Sequence, residues 1–332
     1  MIITKTPFRI SFFGGGTDYP VWYKNNGGSV LSTSIDKYCY ITCRFLQPFF
    51  KYKYKIIYSK VEYTKDLNKI VHPSVRESLK YTDMHNVPVS VSYDSDLPAR
   101  SGLGSSSSFT VGLLNALYGL KGEIRNKYQL ALDAIHVEQN MIKESVGSQD
   151  QVIAANGGLN RIDFAKDGKI SVIPITINSA RRKDLQDHLM MFFTGFSRTA
   201  STIAAEQIKK TPKKSEELKT MHLMVDKAIA ILNSNRDINE FGQLLDKTWQ
   251  IKRKLTSKIS NPSIDKIYEK ALSAGATGGK LLGAGGGGFM LIFAKPEYHN
   301  EIRRKLSNFL YVPFSFEDSG SRVIYYSHGG LL

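Results

Sequence analysis

The sequence predicts a mixed fold of helices and strands (α/β, in the α+β arrangement) that is divided into two domains. The 332-residue chain is longer than one compact core usually holds. Residues 1–180 carry most of the strand-like alternation, whereas helical periodicity dominates from residue 199 to residue 274. The charged stretch NSARRKD near residue 180 is the expected connection. We therefore predict domains 1–180 and 181–332.

Each element is predicted from local periodicity, caps or turn residues. Alternating or β-rich runs predict strands over 1–13, 28–46, 54–59, 87–94, 310–316 and 321–326. The Asp-Gly pair in AKDGK predicts the turn of a hairpin over 157–175. Apolar periodicity and boundary residues such as Asn261-Pro262 predict helices over 74–81, 104–120, 126–145, 199–210, 214–234, 237–258, 262–274 and 296–308.

The net charge, the lysine pattern and the cysteines limit the kinds of partner and metal site that we expect. The net charge of +15 indicates a polyanionic partner, either a nucleic acid or small phosphorylated ligands. The lysines of FFKYKYKIIYSK (49–60) alternate with aromatic and apolar residues, which is typical of a half-buried strand with lysines facing water. Since no nucleic-acid-binding motif accompanies them, we expect no nucleic-acid partner. Cys39 and Cys43 lack the further ligands of a zinc site and are expected to be packed thiols.

The termini and apolar runs indicate no membrane segment. The sequence has no run of 18 apolar residues, and its first residues lack the apolar region and cleavage site of a signal peptide. We expect a cytoplasmic protein with no membrane partner.

Three segments are rich in small residues: FFGGGTDY (12–19), SGLGSSSS (101–108) and GAGGGG (283–288). Because glycine weakens strands and helices, its repeated use predicts close approach of the backbone to another group. The second segment opens a helix, whose free N–H groups and dipole favour phosphate. A flexible loop with a serine N-cap is the alternative. The Walker A spacing is absent, and so is the dinucleotide fingerprint at this loop.

The three segments together resemble the signatures of the GHMP kinases, in the same order. PARSGLGSSSS (98–108) resembles the nucleotide-phosphate motif, TPFRISFFGGGTDYP (6–20) the sugar-site motif of galactokinase-like members, and KLLGAGGGGFMLIF (280–293) the C-terminal glycine motif. The resemblance implies an N-terminal half like ribosomal protein S5 domain 2 and a ferredoxin-like C-terminal half. It also implies a kinase that uses ATP and Mg²⁺ in the cleft between them.

The resemblance assigns roles to residues of the phosphate and catalytic motifs. The phosphate loop would comprise Gly102, Leu103, Gly104, Ser105, Ser106 and Ser107. Ser106 and Glu138 would hold magnesium, with Glu144 as the alternative carboxylate. Asp150, in SVGSQDQVIAANGG, matches the catalytic aspartate, although an aspartate there could simply cap a helix. Arg9 matches the basic residue near the transferred phosphoryl group, where a cation would stabilise developing charge.

The same resemblance predicts the acceptor site. FRISFFGGGTDYP is most similar to members that phosphorylate D-glycero-D-manno-heptose 7-phosphate at C1 to give the 1,7-bisphosphate. Gly15 and Gly16 replace the Glu and His of galactokinases, which would leave room for a longer, phosphorylated sugar. The predicted substrate-binding residues are Gly15, Gly16, Thr17, Asp18, Arg198, Gly285 and Gly286. Arg198, in FFTGFSRTAS, is the candidate for the sugar's own phosphate, with Arg161 or Lys280 as lesser candidates and a surface arginine as the alternative.

Other functions remain open at this point. The acceptor could be L-fucose, galactose or a mevalonate-type alcohol, although GGTDY looks like a sugar site. A nucleic-acid-binding protein of S5-like fold or a non-catalytic ATP sensor would be further alternatives, and a homodimer is possible.

Overall fold

The structure, a computed structural model, describes residues 1–99, 101–195 and 200–327. Strands and helices are mixed along the chain, with four successive helices between residues 200 and 273. The strands are β1 (Ile2–Phe13), β2 (Gly28–Phe45), β3 (Tyr54–Ile57), β4 (Val61–Thr64), β5 (Val89–Ser95), β6 (Leu159–Phe164), β7 (Ile170–Pro174), β8 (Leu189–Phe193), β9 (Ala276–Leu281), β10 (Phe289–Ala294), β11 (Leu310–Tyr311), β12 (Phe316–Glu317) and β13 (Arg322–Tyr326). The helices are α1 (Pro20–Asn26), α2 (Pro73–Tyr81), α3 (Ser105–Leu120), α4 (Lys127–His136), α5 (Gln149–Asn156), α6 (Ser179–Asp187), α7 (Ala200–Lys210), α8 (Ser215–Leu232), α9 (Asn239–Lys252), α10 (Pro262–Ser273) and α11 (His299–Lys305).

The strands form two sheets. The larger has nine strands, six of which follow the order β13-β1-β2-β5-β3-β4. Strands β12 and β6 also pair with β2, and β7 pairs with β6. The long strand β2 makes this branching possible, because its first half pairs with β6 and its second half with β5. The smaller sheet has the order β11-β8-β10-β9 and is antiparallel throughout. The mixed fold predicted from the sequence is thus confirmed.

The core of the larger sheet is built on β1, where Phe8, Ile10, Phe12 and Phe13 are fully buried. Helix α3 lies across this strand and is buried around most of its circumference, as expected because the residues after its serine run are mostly apolar. Close approach depends on Gly112, because a Cβ there would lie 2.8 Å from the Thr6 hydroxyl. This packing holds the start of α3, and therefore the serine run, next to β1.

Two predicted helices end differently from expectation. The helix predicted over 126–145 is helical only to Met141: α4 continues into a π-helical turn, Val137–Met141, and then leaves the helix. The helix predicted over 237–258 ends at Lys252. The stretch 49–60 is a strand only over Tyr54–Ile57, where Tyr54 and Ile56 are buried. The π-turn matters most, because it turns Glu138 into the protein interior.

The predicted domain boundary near residue 180 falls in a helix rather than in a connecting segment. The charged stretch near residue 180 is helix α6, which Asn178 caps by accepting a hydrogen bond from the Arg181 N–H. The chain after β11 returns to the larger sheet, where β12 pairs with β2 and β13 with β1. The division at residue 180 stays a prediction, and residues 316–326 belong to the sheet formed by the N-terminal half. Within the described residues, every helix is too short or too polar to span a bilayer.

Candidate active site

The centre of the site is an ion pair between β1 and the start of α5. Arg9 donates from Nε to Asp150 Oδ1 at 2.8 Å and from Nη2 to Oδ2 at 2.7 Å. Its third nitrogen, Nη1, donates to the Gly102 carbonyl oxygen at 2.7 Å. Arg9 is buried, whereas the Asp150 side chain keeps 24% of its surface exposed. One guanidinium therefore joins the predicted catalytic carboxylate to the predicted phosphate loop, and part of the carboxylate stays accessible to solvent.

The phosphate loop wraps around this ion pair. Gly102 and Gly104 have φ values of 85° and 74°, and Gly104 is the N-cap of α3. A Cβ at Gly104 would lie 3.2 Å from Arg9 Cγ and 3.3 Å from Asp150 Oδ2, so both the positive φ and the close approach to the ion pair favour glycine. Leu103 is fully buried, and its carbonyl accepts from the Arg9 backbone N–H. The N-terminal turn of α3 thus lies beside Asp150, and the dipole of the helix would stabilise an anionic phosphate there.

Glu138 is fully buried beside the serine run that starts α3. Its Oε2 accepts from the Ser107 hydroxyl at 2.9 Å and from Gln151 Nε2 at 2.5 Å, while Oε1 has no partner among the described residues. Burial is the main reason that the pKa of Glu138 rises to about 7. Ser106 is exposed in the first turn and Ser107 is buried, so the structure brings Ser107 rather than Ser106 to Glu138. Among the described residues Ser106 makes no hydrogen bond to Glu138, and the role of these two residues in holding magnesium stays a prediction.

The third glycine segment packs directly on the phosphate loop. A Cβ at Gly102 would lie 2.6 Å from the Leu282 carbonyl oxygen, and one at Gly283 would lie 2.5 Å from Gly102 Cα. A Cβ at Gly288 would lie 2.3 Å from the carbonyl oxygen of Ser101, which also accepts from the Phe289 N–H. The two glycine segments therefore meet backbone to backbone, and this contact joins the two sheets at the site.

The same geometry accounts for two glycines that were predicted to bind substrate. A Cβ at Gly285 would lie 2.7 Å from Ile259 Cα, and the Gly286 N–H donates to the Ile259 carbonyl at 2.9 Å. Close packing on the protein's own backbone thus explains Gly285 without a ligand, and at Gly286 the φ of 80° favours glycine. Their predicted role in binding substrate stays a prediction.

We expect Gly283→Ala to lower the thermal midpoint and kcat together. The new methyl group would meet Gly102 at 2.5 Å, and the φ of +74° adds strain for any L-residue. Moving the two loops apart displaces the phosphate loop from Asp150. Gly168→Ala is the control, since its φ is +90° but no atom lies within 4 Å of the new Cβ. If Gly283→Ala reduced kcat no more than Gly168→Ala, the loop contact would not matter for the reaction.

The N-terminal glycine segment, FFGGGTDY (12–19), is the next part of the site. Thr17 is buried, and its hydroxyl donates to the carbonyls of Gly14 and Ser29, so it holds the turn rather than facing the cleft. Asp18 is also buried, with Oδ1 accepting from the Gly16 N–H and Oδ2 from the Gln149 N–H. Burial, followed by the nearby charge of Asp150, raises the pKa of Asp18. The two carboxyl groups therefore share one site.

Gly15 and Gly16 differ in the space around them. A Cβ at Gly15 would have only ordinary contacts, at 3.7 Å from Ser11 Oγ and 3.8 Å from Gln149 Nε2. Gly16 has a φ of +103°, and a Cβ there would lie 3.0 Å from Gln207 Nε2. Ser11 Oγ and Gln149 Oε1 are buried and have no partner among the described residues. Gly15 therefore lies next to two buried side chains that each keep one polar atom without a partner among the described residues, and sequence reasoning had missed both of these side chains.

Two of the three basic residues suggested to bind the sugar's own phosphate already bind groups of the protein. Arg161 pairs with Asp163 and Asp226. Lys280 is buried, and its ammonium donates to the carbonyls of Ser11 and Phe12 at 3.0 and 2.8 Å. Arg198 lies outside the described residues. Arg161 is thus paired with two carboxylates, and Lys280 is buried with two of its three N–H groups bound to main-chain carbonyls.

A second buried lysine, Lys252, was missed from the sequence. Its ammonium donates to the carbonyls of Leu281 and Gly283 and so holds the start of the third glycine segment. Burial, followed by the charge of Arg9, lowers its pKa to about 8. A signal was present, because Lys252 continues the buried stripe Phe241, Leu245 and Trp249 of α9 at helical spacing. A cation on an apolar stripe needs buried acceptors, which here are loop carbonyls.

The comparisons with known proteins agree with this arrangement. Residues 68–158 match the GHMP kinases N terminal domain, and residues 227–312 match the GHMP kinases C terminal model. The chain is 30% identical over 340 residues to a D-glycero-alpha-D-manno-heptose 7-phosphate kinase of Campylobacter jejuni, covering 96% of this chain and 97% of that protein. It is 25% identical to an L-fucokinase/L-fucose-1-P guanylyltransferase of Bacteroides fragilis, over 91% of this chain and 36% of that protein.

The fold is similar to that of solved kinases. A structure described as a D-glycero-D-manno-heptose 1-phosphate kinase from Bacteriodes thetaiotaomicron superposes with a TM-score of 0.79 at 22% identity, covering 99% of this chain and 100% of that one. The family matches, the near full-length relative and the ion pair beside the glycine loop lead to one conclusion. The chain belongs to the GHMP kinase family and is an ATP-dependent sugar kinase.

Proposed function

We propose that this kinase transfers the γ-phosphoryl group of ATP to the anomeric C1 hydroxyl of D-glycero-D-manno-heptose 7-phosphate and yields the 1,7-bisphosphate. The observation that carries the proposal is the Arg9–Asp150 pair, whose guanidinium also binds the Gly102 carbonyl of the glycine loop that leads into α3. The heptose 7-phosphate kinase of Campylobacter jejuni, similar over nearly the whole chain, supports this choice of acceptor.

Asp150 orients the acceptor hydroxyl in this proposal. Its carboxylate is an acceptor fixed by two hydrogen bonds from Arg9, and part of it stays accessible to solvent. A loose phosphoryl-transfer transition state needs little early deprotonation, so a weak base that receives the proton late is sufficient. An anomeric hydroxyl is also more acidic than an ordinary alcohol. Arg9 offsets negative charge at this point and, through the Gly102 carbonyl, keeps the phosphate loop in position.

The residues also fit a magnesium ion. The buried Glu138 Oε1 lacks a partner among the described residues, and the hydroxyls of Ser106 and Ser107 lie in the first turn above it; hard oxygen ligands of this kind suit Mg²⁺. Glu138 and these serines would hold the ion, and Glu144 remains the alternative carboxylate. When bound, the ion would neutralise charge on the phosphates of ATP. The Gln151 amide keeps Glu138 in place through Oε2.

The acceptor is tested by phosphorus NMR of the purified chain with Mg-ATP and one acceptor per tube. Heptose 7-phosphate should give a new anomeric phosphate signal, whereas galactose, L-fucose and mevalonate should give none. L-fucose is the principal competitor because of the fucokinase relative. Turnover of L-fucose alone would keep the kinase and replace the acceptor. Turnover of no acceptor, despite ATP binding, would contradict the proposed reaction.

We expect Gly15→Ala to fold normally but to raise the KM for the acceptor by about fivefold or more. A methyl group fits at ordinary contact distances but narrows the space next to Ser11 and Gln149, and about 1 kcal/mol of lost binding gives such a change. The KM for ATP and the thermal midpoint should stay unchanged. An unchanged acceptor KM would place the sugar elsewhere. Gly16→Ala is the comparison variant, because its φ of +103° predicts loss of stability instead.

A further inference from the structure

One surface is left unexplained by the kinase reaction: the hairpin surface, which we define as residues 49–65. It contains the β3–β4 hairpin and ends at strand β4, an edge of the nine-stranded sheet. Five lysines and a single acidic residue, Glu62, fall within these residues. The sequence predicted a plain strand with solvated lysines here, but the side chains form a more specific surface.

The aromatic residues form an exposed cluster. Phe49 is 78% exposed and Tyr63 56%. Ring centroids are 4.9 Å apart for Phe49 and Phe50, 5.4 Å for Phe50 and Tyr52, and 4.7 Å for Tyr52 and Tyr63. Val61, 53% exposed, lies on the same strand two residues before Tyr63 and therefore on the same face. A contiguous cluster of solvent-exposed apolar side chains is uncommon on a monomer and indicates a binding surface.

The lysines of this surface have no acidic partner. Across the described ranges 1–99, 101–195 and 200–327, no carboxylate forms an ion pair with Lys51, Lys53, Lys55, Lys60 or Lys65, whereas Lys210 and Lys214 on other surfaces are paired. Glu62 is turned away from them, because its oxygens accept from the Tyr58 hydroxyl and from the Val71 and His72 N–H groups. The surface therefore presents uncompensated positive charge around exposed rings.

We propose that the hairpin surface docks this kinase on an anionic lipid bilayer. Tyrosine and phenylalanine rings are stable at the boundary between headgroups and acyl chains, and lysines around them bind anionic headgroups. Single-stranded nucleic acid also combines aromatic stacking with positive charge, but bases need open ring faces. Here the four rings pack against one another, Phe50 and Tyr52 in a stacked pair and the other two pairs tilted, so a neighbouring ring covers part of each ring. This inference replaces the expectation that the chain has no membrane partner.

The test is co-sedimentation of the full chain with vesicles of phosphatidylcholine alone or mixed with phosphatidylglycerol, at low and high salt. We expect binding to the anionic vesicles only, and weaker binding at high salt. Phe49→Ser/Phe50→Ser and Lys51→Glu/Lys53→Glu should each reduce the partition coefficient about tenfold or more, since each lysine near an anionic surface contributes on the order of 1 kcal/mol. Lys227→Glu/Lys270→Glu is the control with the same change in charge on exposed helical positions, and it should bind nearly as the parent does.

Three outcomes would overturn the proposal. Equal partition onto neutral and anionic vesicles would remove the charge argument. An equal loss in the Lys227/Lys270 control would show that net charge alone, rather than the hairpin surface, drives binding. Binding of a labelled single-stranded oligonucleotide that the hairpin variants abolish, without vesicle binding, would assign the surface to nucleic acid. Circular dichroism melts of all variants confirm that the hairpin substitutions leave the fold intact, because the altered side chains are exposed.

Discussion

Replacing Asp150 by asparagine should reduce kcat by about 10²- to 10⁴-fold, the range that a positioned general base contributes. The amide keeps the size of the carboxyl group but loses its charge and one of the two acceptors for Arg9. It can neither receive the proton of the acceptor nor hold the guanidinium in the same way. The KM for ATP should change little, because the first turn of α3 and the loop glycines are unaltered. Steady-state kinetics with both substrates varied separates these effects.

Asp163→Asn is the matched control for this variant. Asp163 also pairs through both of its oxygens with one arginine nitrogen, Arg161 Nε, at 2.7 and 2.9 Å, but it lies on β6 away from the phosphate loop. Its loss should change kcat by no more than about twofold, as for most surface substitutions. If Asp150→Asn behaved like Asp163→Asn, the ion pair at the site would be structural and the catalytic assignment would be wrong.

Replacing Glu138 by glutamine should raise stability and abolish turnover at the same time. Because burial raises the pKa of Glu138 from 4.5 to about 7, the folded state favours its protonated form. Below about pH 4.5 the carboxyl group is protonated in both the folded and unfolded states and has no effect. As the pH rises to 7, the unfolded chain releases the proton first, so the free energy of unfolding falls. Above pH 7 the ionised group costs the metal-free protein about 3 kcal/mol.

Glutamine is neutral at every pH, and its amide oxygen can still accept from Ser107 and Gln151. In the absence of Mg²⁺, Glu138→Gln should therefore melt higher than the parent above pH 7 and nearly together with it below pH 4.5. Chemical denaturation with and without Mg-ATP measures both effects, since the parent alone should gain stability from the metal. A lower stability for Glu138→Gln at pH 8 without Mg²⁺ would contradict the origin of the raised pKa.

Glu144→Gln separates the two candidate carboxylates. If Glu138 is the ligand, Glu144→Gln should retain most of its turnover and its response to Mg²⁺. The Glu144 N–H donates to the Glu138 carbonyl, a backbone contact that this substitution leaves in place. Loss of turnover in Glu144→Gln with normal activity in Glu138→Gln would reverse the assignment.

Much of this protein was determined by short stretches of sequence. Alternating or β-rich runs located β1, β2 and β5, and the Asp-Gly turn located the β6–β7 hairpin, because backbone geometry and turn chemistry act over a few residues. The serine run predicted the start of α3 for the same reason. The three glycine segments marked places where backbones approach closely, and two of them do meet at Gly102 and Gly283.

Only the tertiary structure decided which side chains share the site. A helix turns by about 100° per residue, so a shift of one residue at its start decides whether Ser106 or Ser107 faces Glu138. The π-turn that buries Glu138 has no signature in local periodicity. Lys252 and Lys280 find their acceptors on other segments of the chain, and Gly285 packs on Ile259 rather than against a ligand. These contacts join residues far apart in sequence, so they form only when the two sheets and their helices pack together.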